Sequence, residues 1–364
     1  FVPLFKSIWG GAILLFGGSY ISLLTLCWAN HALNVALVAR IAHRLGCQTG
    51  MAFLAAVCFG MSPLNYETLG WSVQWSAVLS LSFFLVSLLI LVPASPSAAF
   101  PSWRVTFLAA ACALASPLCF TRGVLVGPVL AVVALSLTTA QPWFIRGLKA
   151  SVLMLPSLAI AAVVARSTSG NHPHLPSVWL QIVTFAVHYF GESPLRTAFS
   201  PASLSTTSAV VLVGARLAIS LAAWALAPVR LRPMVSALVF FELGNALLLG
   251  IGRYHTGIPA AGSSRYQYSA LCCFIPLLAL LANSGLRALP NRMVPFAVAL
   301  AFLGLSWSAI REWSPSMQSW RSWRGAELRA ALNTPDFPPE QHFTRLPWMT
   351  NQRARELVRR FSLH

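Results

Sequence analysis

Glu67, Arg122, Arg216, Glu242, Arg253 and Arg265 are charged residues set in apolar surroundings, and each needs a reason to be there. Arg265 opens the stretch SRYQYSALCCFIPLLALL together with Tyr266 and Tyr268, and Arg253, Tyr254 and His255 lie just upstream in RYHTG. A guanidinium fork pairs with phosphate oxygens, and aromatic faces suit a sugar ring, so this rim fits an anionic head group that carries a sugar. The plainer alternative is an interfacial aromatic belt with two arginines. Arg122, in SPLCFTRGVLVGP, has apolar neighbours on both sides and is followed by Gly123, which permits close backbone approach. It reads as a clamp for a lipid phosphate at the mouth of a membrane hairpin, or as a snorkelling side chain at a helix end. Glu67, in SPLNYETLGW, is the lone acid among amide and aromatic side chains. It is suited to orienting hydroxyl groups or accepting a proton, or it is simply a solvated loop acid.

Arg216 and Glu242 fall inside apolar runs, where desolvating a charge costs several kcal/mol by insertion scales, roughly 3 for a lone residue at mid-span. Counted at about 1.5 Å per residue, they lie roughly 10 and 15 Å from the same ends of two consecutive spans. An antiparallel hairpin would pair them as a structural ion pair; a role in binding substrate is the alternative.

What holds these residues is an apolar chain: 57% of its 364 residues are hydrophobic and 9% are charged, with a mean hydropathy of +0.70. Continuously apolar runs rule out an outer-membrane barrel, whose strands alternate, and predict an all-α polytopic transmembrane helical bundle. The expected spans are 13–39, 50–62, 76–93, 105–120, 124–140, 150–166, 209–227, 234–252, 266–285 and 293–310, or about ten crossings. Residues 50–62 are short for a crossing, and 105–140 reads equally as a hairpin whose tip enters the membrane. Alternate loops collect Arg40, Arg44, Arg104, Arg146, Lys149, Arg230, Arg232, Arg287 and Arg292. By the positive-inside rule those loops face the cytoplasm, and the loops at 63–75, 167–208 and 253–265 face outward. The net charge of +17 is therefore topological and points to no nucleic-acid partner. The cysteines lie within or beside spans and behave as small apolar residues. No metal or cofactor is expected, because His172 and His174 have no acid nearby and His188 is isolated. The chain divides into a transmembrane domain at 1–310 and an external tail at 311–364. The tail carries helical stretches at 317–332 and 350–361, and tryptophans suited to the interface.

Four segments in order resemble the polytopic GT-C glycosyltransferases, especially the O-mannosyltransferase-like members. WANHALNVALVARIAHRLG resembles their H-x-x-N-x-x-L span end, and FGMSPLNYETLGW resembles their Pro–Glu–Trp loop, with Glu67 on the glutamate. LASPLCFTRGVLVGP resembles a segment in which Arg122 stands where lysine is usual, and SRYQYSALCCFIP resembles the Arg-Tyr-x-x-Pro start of a late span. The resemblance implies transfer of a sugar from a polyprenyl-phosphate donor to a glycan, lipid or protein acceptor at the external face of a bacterial-type inner membrane. It places Arg122 and Arg265, with Tyr266, Tyr268, Arg253 and His255, at the substrate and makes Glu67 a supporting acid. The family's first-loop acid should precede the first span, yet residues 1–12 hold no Asp or Glu. The expectation is that a segment before Phe1 carries it, or that catalysis has been lost. A lipid-linked glycan flippase, or a membrane scaffold without catalysis, stays open as the other class of function, although no internal repeat supports the flippase.

Overall fold

The computed structural model describes residues 2–93, 101–137, 141–168, 175–192 and 205–286, with short pieces beyond residue 300. The expected span at 293–310 and the tail helices at 317–332 and 350–361 lie outside the described residues but for a few positions. Of the tail, a two-stranded antiparallel hairpin is described, β1 (His342–Phe343) with β2 (Leu346–Thr350).

The first expected span is two helices, α1 (Pro3–Phe16) and α2 (Tyr20–Arg44). Gly17 and Gly18 separate them at φ 60° and 74°, a left-handed backbone that residues with a Cβ resist, and Ser19 caps α2 by accepting from the Ser22 amide. Phe5 packs edge-on against Trp75, and Tyr20 donates to the Gly70 carbonyl at 2.5 Å. Both ends of α1 therefore lie where α2 and the later helix α5 (Trp75–Leu91) begin, and α1 runs along that end of the bundle.

From this end, here the rim, α2 and α5 run in parallel to the opposite end. There the Arg44 guanidinium donates to the carbonyls of Leu89 and Val92. α3 (Thr49–Gly60) returns only partway, since its 12 residues reach about 18 Å; it stops where the Gly60 carbonyl meets His31 at 3.1 Å. The chain between α3 and α5 folds as a 3-10 turn (Pro63–Asn65), α4 (Tyr66–Gly70) and a second 3-10 turn (Ser72–Gln74). α6 (Trp103–Cys119) and α7 (Val126–Leu137) form a hairpin about a 3-10 tip, Thr121–Leu125. The tip folds hard onto α6: a Cβ on Gly123 would come within 2.3 Å of the backbone of Ser116 and Pro117. Paired hydroxyls of Ser80 and Ser116, 2.9 Å apart, tie α5 to α6.

α8 (Trp143–Thr168) precedes the largest correction to the expected topology. Within 167–208, expected to be an external loop, Leu175–Glu192 forms helix α9, packed on α10 (Thr206–Leu226) and α11 (Arg232–Arg253). Ile182, Phe185, Ala186, Tyr189 and Phe190 are buried along one face at helical spacing. α12 (Ser264–Leu286) runs from the rim back to the opposite end, where Asn283 Oδ1 accepts from the Gln48 amide at 3.0 Å.

Six helices among the described residues are long and apolar enough to cross a membrane, with shorter apolar helices at Pro3–Phe16, Thr49–Gly60, Trp103–Cys119 and Thr121–Leu137. At the end opposite the rim, basic residues satisfy backbone carbonyls that neighbouring helices leave open. Arg146 donates to Leu135 at the end of α7 (2.7 Å), Arg232 to Ala225 at the end of α10 (3.5 Å), and Lys149 to Pro101 before α6 (2.7 Å).

Close backbone approach sets the position of α9. A Cβ on Gly191 would fall 2.3 Å from the Ala209 carbonyl, and one on Gly250 would fall 2.6 Å from that of Ile182. Gly191→Ala and Gly250→Ala should each destabilise the detergent-solubilised protein by roughly 1–3 kcal/mol through overpacking. Gly252→Ala, with open space around it, should leave the thermal midpoint unchanged or slightly raised; equal midpoints in all three variants would contradict this packing.

Candidate functional site: a buried basic centre beneath a polar rim

Among the described residues, a group of buried polar side chains lies where α9, α10, α11, α12 and the α6–α7 tip meet. Glu242 on α11 is 1% exposed, Arg216 on α10 is 5% and Arg122 on the tip is 6%. Arg216 Nη2 lies 3.8 Å from Glu242 Oε2. Its Nη1 donates to the Phe190 carbonyl at 2.8 Å, and its guanidinium covers the rings of Phe190 and Phe274. The Tyr189 hydroxyl donates to Glu242 Oε2 (2.9 Å) and accepts from Asn245 Nδ2 (2.9 Å), and that amide also reaches Ser269 Oγ (3.0 Å).

Arg122 completes the group from the other side. Gly244, two residues beyond Glu242, has no room for a Cβ because Leu125 of the tip lies 2.8 Å from where it would be. Arg122 donates from Nη2 to the Ala77 carbonyl (3.3 Å), rests over Phe120, and lies within electrostatic reach of Glu242. Its Nε has no hydrogen-bond partner, nor has Glu242 Oε1. Two buried guanidiniums thus face one carboxylate at this centre, Arg216 at 3.8 Å and Arg122 within electrostatic reach.

Tyr268, expected on the rim, is fully buried and belongs to a second network. The Gly60 carbonyl can only accept, so His31 Nε2 carries the proton towards it (3.1 Å). Nδ1 of a neutral ring then accepts from the Tyr268 hydroxyl (2.8 Å), which in turn accepts from Asn34 Nδ2 (3.1 Å). Ser82 Oγ donates to Asn34 Oδ1 (2.7 Å) and accepts from Asn30 Nδ2 (2.6 Å). The H-x-x-N pair thereby ties α2 to α3, α5 and α12.

Glu67 is half-buried, and its Oε2 accepts from the Arg265 amide (3.1 Å) and the Ser263 hydroxyl (3.1 Å). An orphan amide in the first turn of α12 is satisfied by this carboxylate at its positive dipole end, so Glu67 fixes where α12 starts. Arg265 is half-buried at the rim with its guanidinium beside the Tyr266 ring, while Arg253 and His255 are exposed where α11 ends. The structure therefore brings Arg122, Arg216 and Glu242 together and leaves Arg265, Tyr266, Arg253 and His255 on the rim, with Arg265 about one helical turn above Tyr268.

Sequence reasoning missed Tyr189, Asn245 and Ser269. The helical stripe in 182–190 was the signal for Tyr189, and the spacing of Asn245 three residues after Glu242 was the signal for the amide. It also left His188 isolated, whereas His188 Nδ1 lies 2.5 Å from Glu192 Oε1. Among the described residues no three His, Cys, Asp or Glu side chains converge as a metal site; His172 and His174 lie outside them.

The fold and centre define an integral membrane protein, an all-helical bundle with charge buried at its middle. No protein-family model matches the sequence, and no curated protein does. Among solved structures the chain is similar to the archaeal oligosaccharyltransferase AglB from Archaeoglobus fulgidus, solved with an inhibitory peptide and a dolichol-phosphate. Identity is 14% and the TM-score 0.43, over 92% of this chain and 50% of that one. The chain thus spans half the length of that protein.

The shared carboxylate makes the centre sensitive to its loss. Glu242→Gln removes the carboxylate that Arg216 engages and should destabilise by about 3–5 kcal/mol, whereas Glu242→Gln combined with Arg216→Met should recover part of that loss. Thermal unfolding in detergent reads the cycle, and strict additivity of the two changes would contradict the pairing.

Proposed function

We propose that this chain is an integral membrane glycosyltransferase that moves a sugar from a polyprenyl-phosphate donor to a glycan, lipid or protein acceptor at the external face. The observation that carries the reading is Arg122: a buried guanidinium with an unpartnered Nε, next to a carboxylate that Arg216 already engages. An anion entering from the rim would satisfy that nitrogen and balance the centre. A lipid phosphate fits both needs, because its head group reaches inward from the interface while its chain stays in lipid. The basic residues gathered at the opposite end support assigning the rim to the external side.

In this mechanism Arg122 binds the phosphate and offsets the charge that grows on it as the glycosidic bond breaks, which is where electrostatic stabilisation acts most. Arg216 and Glu242 position Arg122's surroundings, and Arg265, Tyr266, Arg253 and His255 contact the head group at the entrance. Glu67 orients Arg265 through α12 and, as the partly exposed acid among the three in the described bundle, assists the acceptor. The tip glycine keeps Arg122 pressed against α6, which fixes the guanidinium in place.

The test is transfer of radiolabelled sugar from polyprenyl-phosphate sugars in proteoliposomes. Arg122→Ala should lower turnover by about 100-fold or more, as loss of one preorganised charged donor does, and Arg122→Lys should recover only part of it. Arg265→Ala should raise KM more than it lowers kcat. Absence of transfer by the folded wild-type protein with every donor, or equal turnover in Arg122→Ala, would overturn the assignment.

A further inference from the structure

The last turn of α9 and the first turn of α10 place three side chains in a line that the sugar-transfer reading does not use. Glu192 Oε1 lies 2.5 Å from His188 Nδ1, and His188 Nε2 lies 3.3 Å from Thr206 Oγ1. His188 is 1% exposed and Glu192 is 0%, yet Thr206 is exposed. From these contacts we infer a second reactive site, in which Thr206 is a nucleophile for acyl groups, His188 its base and Glu192 the residue that positions the base.

The chemistry follows from the hydrogen-bond inventory. A carboxylate only accepts, so Glu192 holds the proton on Nδ1 and leaves the Nε2 lone pair facing the Thr206 hydroxyl. That order of buried acid, buried imidazole and accessible hydroxyl is what a nucleophile activated by a neighbouring base requires. The fold supplies two supports. Gly191 lets the end of α9 approach the Ala209 carbonyl in α10, where any Cβ would be within 2.3 Å, and this sets the distance from His188 to Thr206. Thr206 also opens α10 behind the Ser205 cap, whose hydroxyl accepts from the Ser208 amide at 3.2 Å.

The ligand class is a carboxylic ester. Thr206 Oγ forms a bond to the acyl carbon while its proton passes to His188 Nε2. The tetrahedral intermediate collapses, the ester's C–O bond breaks, and the departing alcohol takes that proton. Water or a second alcohol then attacks the acyl-threonine, gives its proton to His188, and leaves with the acyl group as Thr206 recovers its own. The net change is ester hydrolysis or transesterification, with no redox partner. A mere structural tie between α9 and α10 would need no accessible hydroxyl.

The experiment uses the full chain in detergent with p-nitrophenyl butyrate, followed by mass spectrometry of the peptide containing Thr206 after reaction with a fluorophosphonate. We expect nitrophenol release that falls by about 100-fold or more in Thr206→Val and His188→Gln and survives within about tenfold in Thr206→Ser. We also expect the adduct on Thr206. Thermal unfolding confirms that each variant is folded, and Thr206→Val, at an exposed position, should match the wild type. A folded wild type without turnover or adduct, or equal turnover in Thr206→Val, would reduce the three residues to a structural tie. Sugar transfer measured on Thr206→Val keeps this outcome separate from that of the Arg122 reading, because that activity should not change.

Discussion

One carboxylate inside an apolar bundle organises the rest. An uncompensated charge at mid-span is too costly to keep, by roughly 3 kcal/mol even on the lenient insertion scales. Arg216 beside Glu242 and the Tyr189 hydroxyl donating to it offset part of the cost of keeping that carboxyl here. Each partner arrives on a different helix, so the ion pair, the tyrosine and the amide of Asn245 together specify how α9, α10, α11 and α12 meet. A hydrophobic interface alone would tolerate sliding; a buried donor that must find its acceptor does not. The second guanidinium, Arg122, then turns a structural centre into a basic one.

Backbone polarity makes the same demand at the helix ends. In lipid, terminal carbonyls have no water to turn to, and the orphan groups must be met by side chains. Arg44, Arg146, Arg232 and Lys149 meet carbonyls at the end opposite the rim, while Glu67 and Ser19 meet amides at the rim. Three of the charges that read as a topology signal in sequence, on Arg44, Arg146 and Arg232, therefore also cap helix C-termini. Both roles have one cause: positive side chains suit helix C-termini and negative ones suit N-termini.

The sequence made the apolar helices legible because length and hydrophobicity act residue by residue. The Arg216–Glu242 depth match was legible because a hairpin imposes antiparallel register. What it concealed depended on tertiary contact. α9 carries Gln181, His188 and Glu192 among its apolar residues, so an average over the segment suppresses it, although the stripe from Ile182 to Phe190 follows a helical period. The break at Gly17 and Gly18 is a backbone event inside an uninterrupted apolar run. His31 and Asn34 carry the family-like pattern, but that they bind a tyrosine more than 200 positions later could be known only from the fold.

The three acids of the described bundle bear on how an acceptor could be activated. Glu242 is held by Arg216 and Tyr189, and Glu192 by His188; both are buried. A carboxylate closed to solvent cannot pass its proton outward. Glu67 differs in one respect: it is half-buried, and its Oε2 accepts from an amide and a hydroxyl at the start of α12. Oε2 of Glu67 thereby holds the start of α12, so the partly exposed acid of the described bundle is also the one that sets the position of the Arg265 backbone. Under the proposed sugar transfer, a shift of Glu67 towards an acceptor would therefore be felt at the Arg265 backbone, which ties the acid to the entrance.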